Sequence, residues 1–150
     1  KDISYIFVSL LGGMVITKFF IPPPNISYFA YIVAIGIIFF LGGINDTLDF
    51  TLFAFLDHRN FWTHSVLSPV LWILPLITYY LFSIVYPPLN LLLAVCMAWA
   101  IVAHLILDAF NPSGVFLTPT KKISGVVKSD NALVNFGISA ASVILIIGVI

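Results

Sequence analysis

Five long apolar runs, separated by clusters of proline, asparagine and glycine, leave this chain few ways to fold. They cover residues 3–21, 28–44, 63–86, 89–110 and 131–150. The breaks include "PPPN" at Pro22–Asn25, "YPPLN" at Tyr86–Asn90 and "NPSG" at Asn111–Gly114, all strong turn signals. A helix needs about 20 apolar residues to cross a hydrocarbon core about 30 Å thick, and each run reaches or approaches that length. Hydrophobic residues make up 61% of the 150 and charged residues 8%, where a soluble domain carries about 25% charged. The expectation is an all-α integral membrane protein: a single transmembrane helical domain over residues 1–150, with about five spans. The stretch "NDTLDFTLFAFLDHRN" (Asn45–Asn60) is too short and too polar at its ends to cross. It is expected to form a short interfacial helix between spans two and three, N-capped by Thr51 or Asp49. Pro69 and Pro75 should kink the third span, which bundles tolerate.

Composition also excludes some functions. The formal net charge is zero and no long basic run occurs, so nucleic acid is not an expected partner. The single cysteine, Cys96, cannot form an intrachain disulfide. The first apolar run lacks a small-residue exit, so a cleaved signal peptide is not expected, and both ends read as trimmed.

Following the spans back and forth brings the polar residues to one side. The second span delivers Asn45, Asp46 and Asp49 to the face where the chain begins, and Asp57, His58, Arg59 and His64 follow on the same face. The fourth span returns His104 and Asp108 there, beside a polar loop over residues 111–130. All three histidines and four of the six aspartates thus converge on one membrane face. Lys1, Arg59, Lys121, Lys122 and Lys128 fall on that face and only Lys18 near the other, which makes it cytoplasmic by the positive-inside rule. The expected location is the inner or plasma membrane, multi-pass, with the polar site facing the cytoplasm. The lipid bilayer, and partner subunits within it, are the expected partners.

His104 and Asp108 are four apart on an expected helix and project from one face. They could share a metal ion, or Asp108 could hold the His104 ring from behind. His58 and His64 are six apart, which suits a loop folding back over the start of the third span, with Thr63 as its N-cap. Asp46 and Asp49 close the second span. Mixed imidazole and carboxylate donors suit a divalent ion, zinc first, with manganese or iron as alternatives. Such an ion lowers the pKa of bound water to about 7. Arg59 has the planar fork to clamp a phosphate or carboxylate. The plainer readings are caps and interfacial contacts for Asp46, Asp49 and Asp57, a carboxylate or lipid-phosphate partner for Arg59, and ordinary positive-inside residues for the lysines. They are weakest for His104 and Asp108, because charge inside a span costs about 2.5–3.5 kcal/mol.

"HRNFWTHS" (His58–Ser65) resembles the H-R-x-x-T-H-S signature of the YdjM-type membrane-bound metal-dependent hydrolases. "AHLILDAFNPSGVFLTP" (Ala103–Pro119) is similar to that family's H-x-x-x-D block with its following turn. The resemblance implies a multi-span inner-membrane hydrolase using a divalent metal, with His58, His64, His104 and Asp108 as ligands and Arg59 and Thr63 as motif residues. Two features depart from the pattern. Tyr5 stands where the family has an early histidine. "NDTLD" (Asn45–Asp49) replaces its P-D-x-D-H run, with Asp46 standing for the first acid. These departures weaken the case for two metals and leave one, held among His58, His64, His104, Asp108 or Asp46.

The leading expectation is a metal-dependent hydrolase acting on a phosphoester or lipid headgroup, with Asp46 or Asp49 as ligand or base and Arg59 as anion clamp. The alternative is a degenerate homologue serving as a structural or accessory subunit of a larger membrane complex. A proton-relay transporter ranks third, because transport sites lie near the midplane.

Overall fold

The structure, a computed structural model, describes residues 8, 11–15, 44–52, 55–56, 59–127 and 131–149. Helix α1 spans Ile44–Thr51, α2 Pro69–Val85, α3 Asn90–Ala109 and α4 Ala132–Val149. A 3-10 turn, Pro87–Leu89, joins α2 to α3, and a hairpin of β1 (Val115–Thr118) and β2 (Lys121–Ile123) follows α3. Tyr86 and the two prolines after it explain the tight reversal: Tyr86 N–H still donates to Phe82 O at 2.8 Å, and Leu89 N–H then closes the turn onto Tyr86 O at 3.1 Å. So short a connection makes α2 and α3 an antiparallel helical hairpin, the main packing unit among the described residues.

Two apolar clusters lie along α3. Leu89, Leu92, Leu93, Cys96 and Ala100 pack with Phe82 at the turn end. Leu71, Met97, Ile101, Leu105, Leu48 and Val115 form the second, which joins α1, α2, α3 and β1. The N-terminal part of the chain meets α3 at Trp99, whose Nε1 donates to Val8 O at 3.2 Å.

The expected bundle of five spans is not what the structure shows. Among the described residues only Pro87–Ala109 is long and apolar enough to cross a membrane. Of the expected first span, 3–21, only residues 8 and 11–15 are described, and of the second, 28–44, only residue 44. The third is shorter than expected, because the helix starts at Pro69 and not at Thr63. Residues 63–68 are drawn out of it by their own hydroxyls. Thr63 donates to Asp49, Ser65 Oγ accepts from Leu67 N–H at 3.1 Å, and Ser68 donates to Trp62 O. The two serine bonds are local ones that compete with helical ones, the Thr63 bond ties the loop to α1, and Pro69 then supplies a fixed φ at the first helical position. Seventeen residues remain, about 26 Å at 1.5 Å each. The expected fifth run, 131–150, forms α4 over 18 residues, Ala132–Val149.

Smaller expectations shift as well. Ser68, extended at φ −70°, precedes α2 in place of Thr63. Asp49 and Thr51 lie within α1, not at its N-terminus, and Thr51 Oγ1 donates back to Thr47 O at 2.7 Å. The polar loop expected over 111–130 contains a two-stranded antiparallel ladder, Val115 opposite Ile123 and Phe116 opposite Lys122, with an irregularity before Thr118.

The hairpin is folded back over the end of α3 by a fixed turn. Asn111 O accepts from Gly114 N–H and Gly125 N–H, both at 3.0 Å, and Phe110 O accepts from Val127 N–H at 3.0 Å. Gly114 has φ +66°, and a Cβ there would sit 2.2 Å from Ile123 O. Gly137 in α4 has nothing within 4 Å of an added Cβ among the described residues. Gly114→Ala should therefore destabilise by about 1–3 kcal/mol, while Gly137→Ala should be neutral or gain about 0.5–1 kcal/mol. Thermal unfolding of the detergent-solubilised variants checks this pair, and equal midpoints would count against the hairpin turn.

Candidate metal centre

Four elements bring the polar residues together. α3 carries His104 and Asp108 one turn apart, α1 carries Asp46 and Asp49, the loop before α2 carries Arg59 to His64, and the turn after α3 carries Ser113. The loop is held on two sides. Phe116 N–H donates to His64 O at 2.8 Å, which ties the loop to β1, and His64 N–H donates to Asn60 O at 3.0 Å.

Asp49 organises the loop from the α1 side. Its Oδ2 accepts from Arg59 N–H at 2.6 Å, and its Oδ1 accepts from Asn60 Nδ2 at 2.9 Å and from the Thr63 hydroxyl. Arg59 adopts φ +60°, which turns its N–H toward Asp49. Thr63 Oγ1 lies 3.0 Å from His64 Nδ1, and Asp49 Oδ2 lies 3.4 Å from the same nitrogen. The Thr63 hydroxyl has one proton, which goes to Asp49, so His64 Nδ1–H is the donor in the remaining contact. That leaves Nε2 facing inward, toward Asp46 and Asp108.

The inner face is a meeting of two imidazoles and two carboxylates. His64 Nε2 lies 3.4 Å from Asp46 Oδ1 and 3.3 Å from Asp108 Oδ2. His104 Nε2 lies 3.2 Å from Asp108 Oδ2 and 3.9 Å from Asp46 Oδ1. The two rings are 5.5 Å apart and tilted by 59°. His64, His104 and Asp108 are buried, whereas Asp46 keeps 29% of its side chain exposed and forms the mouth. Behind Asp108, its Oδ1 meets Arg59 Nη1 at 3.0 Å, and the same Nη1 donates to Ser113 Oγ.

Burial alone would push the His64 imidazole down, but Asp108 and Asp46 against Nε2 outweigh it and hold its pKa above the ordinary histidine value. For Asp46, burial raises the carboxyl, and the hydrogen bond and charge of His64 with the charge of His104 outweigh that and set it below its usual value. Of the carboxylates here, Asp108 meets the Arg59 guanidinium, Asp49 holds the loop through Arg59 N–H, Asn60 and Thr63, and Asp46 faces the two histidines. Asp46, His64 and His104 each offer one ligand atom, all within 4.8 Å of one another, and this set can hold a metal ion.

Of the residues expected at the site, Asp46, Asp49, Arg59, His64, His104 and Asp108 come together, with Asp49 turned to the loop and Arg59 to Asp108. His58 and Asp57 lie outside the described residues, as does Tyr5. Sequence reasoning missed Ser113, and it treated Thr63 only as a cap and motif residue. Thr63 precedes a histidine within a polar loop, a usable signal for an orienting hydroxyl, whereas nothing in "NPSG" marks Ser113 as a partner of Arg59. No family model, curated protein or solved structure matches this chain.

Removing the Asp49 carboxylate orphans three buried donors at about 1–3 kcal/mol each. Asp49→Ala should therefore lower stability by about 3 kcal/mol or more, with Thr51→Ala on the exposed side of α1 within about 0.5 kcal/mol of wild type. Denaturation midpoints of the two variants provide the check.

Proposed function

We propose that this protein is a membrane-associated, metal-dependent hydrolase that takes one zinc ion at a centre lined by His64, His104, Asp46 and Asp108, three of them as ligands with water in the fourth position. One observation carries the reading: these four side chains close a ring of ligand-type atoms with successive separations of 3.4, 3.3, 3.2 and 3.9 Å. Ligands about 2.0–2.2 Å from a tetrahedral zinc stand roughly 3.3–3.6 Å from one another, close to the first three separations, while the Asp46–His104 edge is wider. The donor set, imidazole and carboxylate without thiolate, also fits manganese or iron, which makes zinc the first choice and not the sole one. The likeness of "HRNFWTHS" and "AHLILDAFNPSGVFLTP" to the two YdjM-type blocks supports the same class.

The chain's residues then divide the work. His64 and His104 would offer ring nitrogens to the ion, and Asp49 and Thr63 fix the His64 ring from behind. A divalent ion held there with one open position would lower the pKa of its water to about 7 and supply hydroxide at neutral pH. Asp46, the most exposed of the four at the mouth, would be the one left off the ion and would take up the proton that this water loses in becoming hydroxide. Arg59 is committed to Asp108 and not to substrate.

A phosphoester, with a lipid headgroup as the leading case, suits a site at the polar end of the Pro87–Ala109 segment beside exposed Lys121 and Lys122. Arg59, Lys121 and Lys122 share that end, which supports an inner-membrane protein with its centre toward the cytoplasm. The accessory-subunit reading keeps one specific support: Ile84, Val85, Leu133, Phe136 and Ile147 are exposed on α2 and α4 and suit a partner helix as well as lipid.

Hydrolysis of bis-p-nitrophenyl phosphate by purified, zinc-supplemented protein tests the enzyme. Turnover should stop with a chelator, return with zinc, and fall by more than about 100-fold in His104→Ala, beyond the effect of losing an outer partner. Unchanged turnover in His104→Ala, or a stable co-purifying subunit with no activity, would reject the hydrolase.

A further inference from the structure

We infer that Arg59 and Ser113 set the metal preference of the centre by holding Asp108 to one-oxygen coordination. The inference rests on the proposed metal reading and adds a specificity-determining pair to it. Asp108 presents Oδ2 to both histidines, 3.3 Å from His64 Nε2 and 3.2 Å from His104 Nε2, while Oδ1 is 3.0 Å from Arg59 Nη1 on the opposite side. The carboxylate is therefore divided, with one oxygen for the ion and one for the guanidinium.

Arg59 has little freedom to release it. Its side chain is buried, its Nη1 also donates to Ser113 Oγ, and its backbone N–H is fixed on Asp49 Oδ2 at 2.6 Å. Rotating Asp108 to offer both oxygens would strip a buried guanidinium of its counter-charge, which is strongly unfavourable. Asp49 is closed in the same way, since Arg59, Asn60 and Thr63 take both of its oxygens. Among the carboxylates of the centre, Asp46 at the mouth keeps the most latitude.

Few, singly bound ligands favour one ion over another. Zinc is satisfied by four donors in a tetrahedron, whereas manganese, with its preference for six oxygen-rich positions, gains from a carboxylate that can bind through both oxygens. A locked Asp108 withholds that extra oxygen. Ser113 lies in the turn fixed by Asn111 and Gly114, so the hairpin contributes to selectivity without touching the ion.

The ratio of zinc to manganese affinity tests this, measured by competition with a fluorescent chelator on detergent-purified protein. Wild type should favour zinc, and Arg59→Gln should reduce the ratio by about tenfold or more through a larger loss for zinc than for manganese. Arg59→Lys, which keeps the charge without the fork, should lie between them. Ser113→Ala, a gentler change that preserves the ion pair, should shift the ratio in the same direction and covers the case in which Arg59→Gln does not fold. Equal losses for both ions, or an unchanged ratio in Arg59→Lys and Ser113→Ala, would show a purely structural pair and overturn the inference. Wild type that binds neither ion would instead sink the metal reading itself, and this inference with it.

Discussion

Buried charge is the constraint on which the described architecture depends. Asp49, Asp108 and Arg59 are nearly removed from solvent beside His64 and His104, and each buried ion costs several kcal/mol unless its partners replace water. The chain meets that demand with geometry. Asp49 draws the loop before α2 into shape, Arg59 balances Asp108, and the Asn111–Gly114 turn brings Ser113 to Arg59. Loop, hairpin and α1 are thus positioned by one connected set of polar contacts.

Beneath that set, packing is apolar and ordinary. α3 runs from the Leu92, Leu93 and Cys96 cluster through Ile101 and Leu105 to His104 and Asp108, so a single helix changes from core to site within its last two turns. Leu105, Ile101, Leu71, Leu48 and Val115 form a dry floor under the carboxylates. Low polarizability there strengthens the ion pairs and would equally penalise any one of them left alone. The floor also fixes α1 and β1, the two short elements that carry Asp46 and lead back to the loop.

The site was more legible in the sequence than the fold was. A histidine and an aspartate four apart project from one helical face whatever the helix packs against, and the "RNFWTHS" segment reads as a fold-back loop from its polar residues alone. Hydropathy misjudged the third run because it averages Thr63, Ser65 and Ser68 into the apolar residues that follow, while the serine hydroxyls bond locally and Thr63 bonds to Asp49 on α1. The hairpin was detectable in principle: "VFLT" and "KKI" flank a two-residue Pro119–Thr120 connection, yet the lysines made the segment look like a solvated loop. Asp46 and Asp49 illustrate the remaining limit. Three residues apart on α1, they face different partners, the centre and the loop, and only the tertiary placement of the loop distinguishes them. Arg59 read as an anion clamp for the same reason, since nothing local announces a partner at Asp108 on another element.

The most direct test of the account is X-ray absorption at the zinc edge on protein loaded with one equivalent of zinc. Four nitrogen or oxygen ligands at about 2.0–2.1 Å, with the outer-shell signature of two imidazoles, are the expected result. A six-coordinate spectrum, a sulfur ligand, or only one imidazole would contradict a centre built from His64, His104, Asp46 and Asp108.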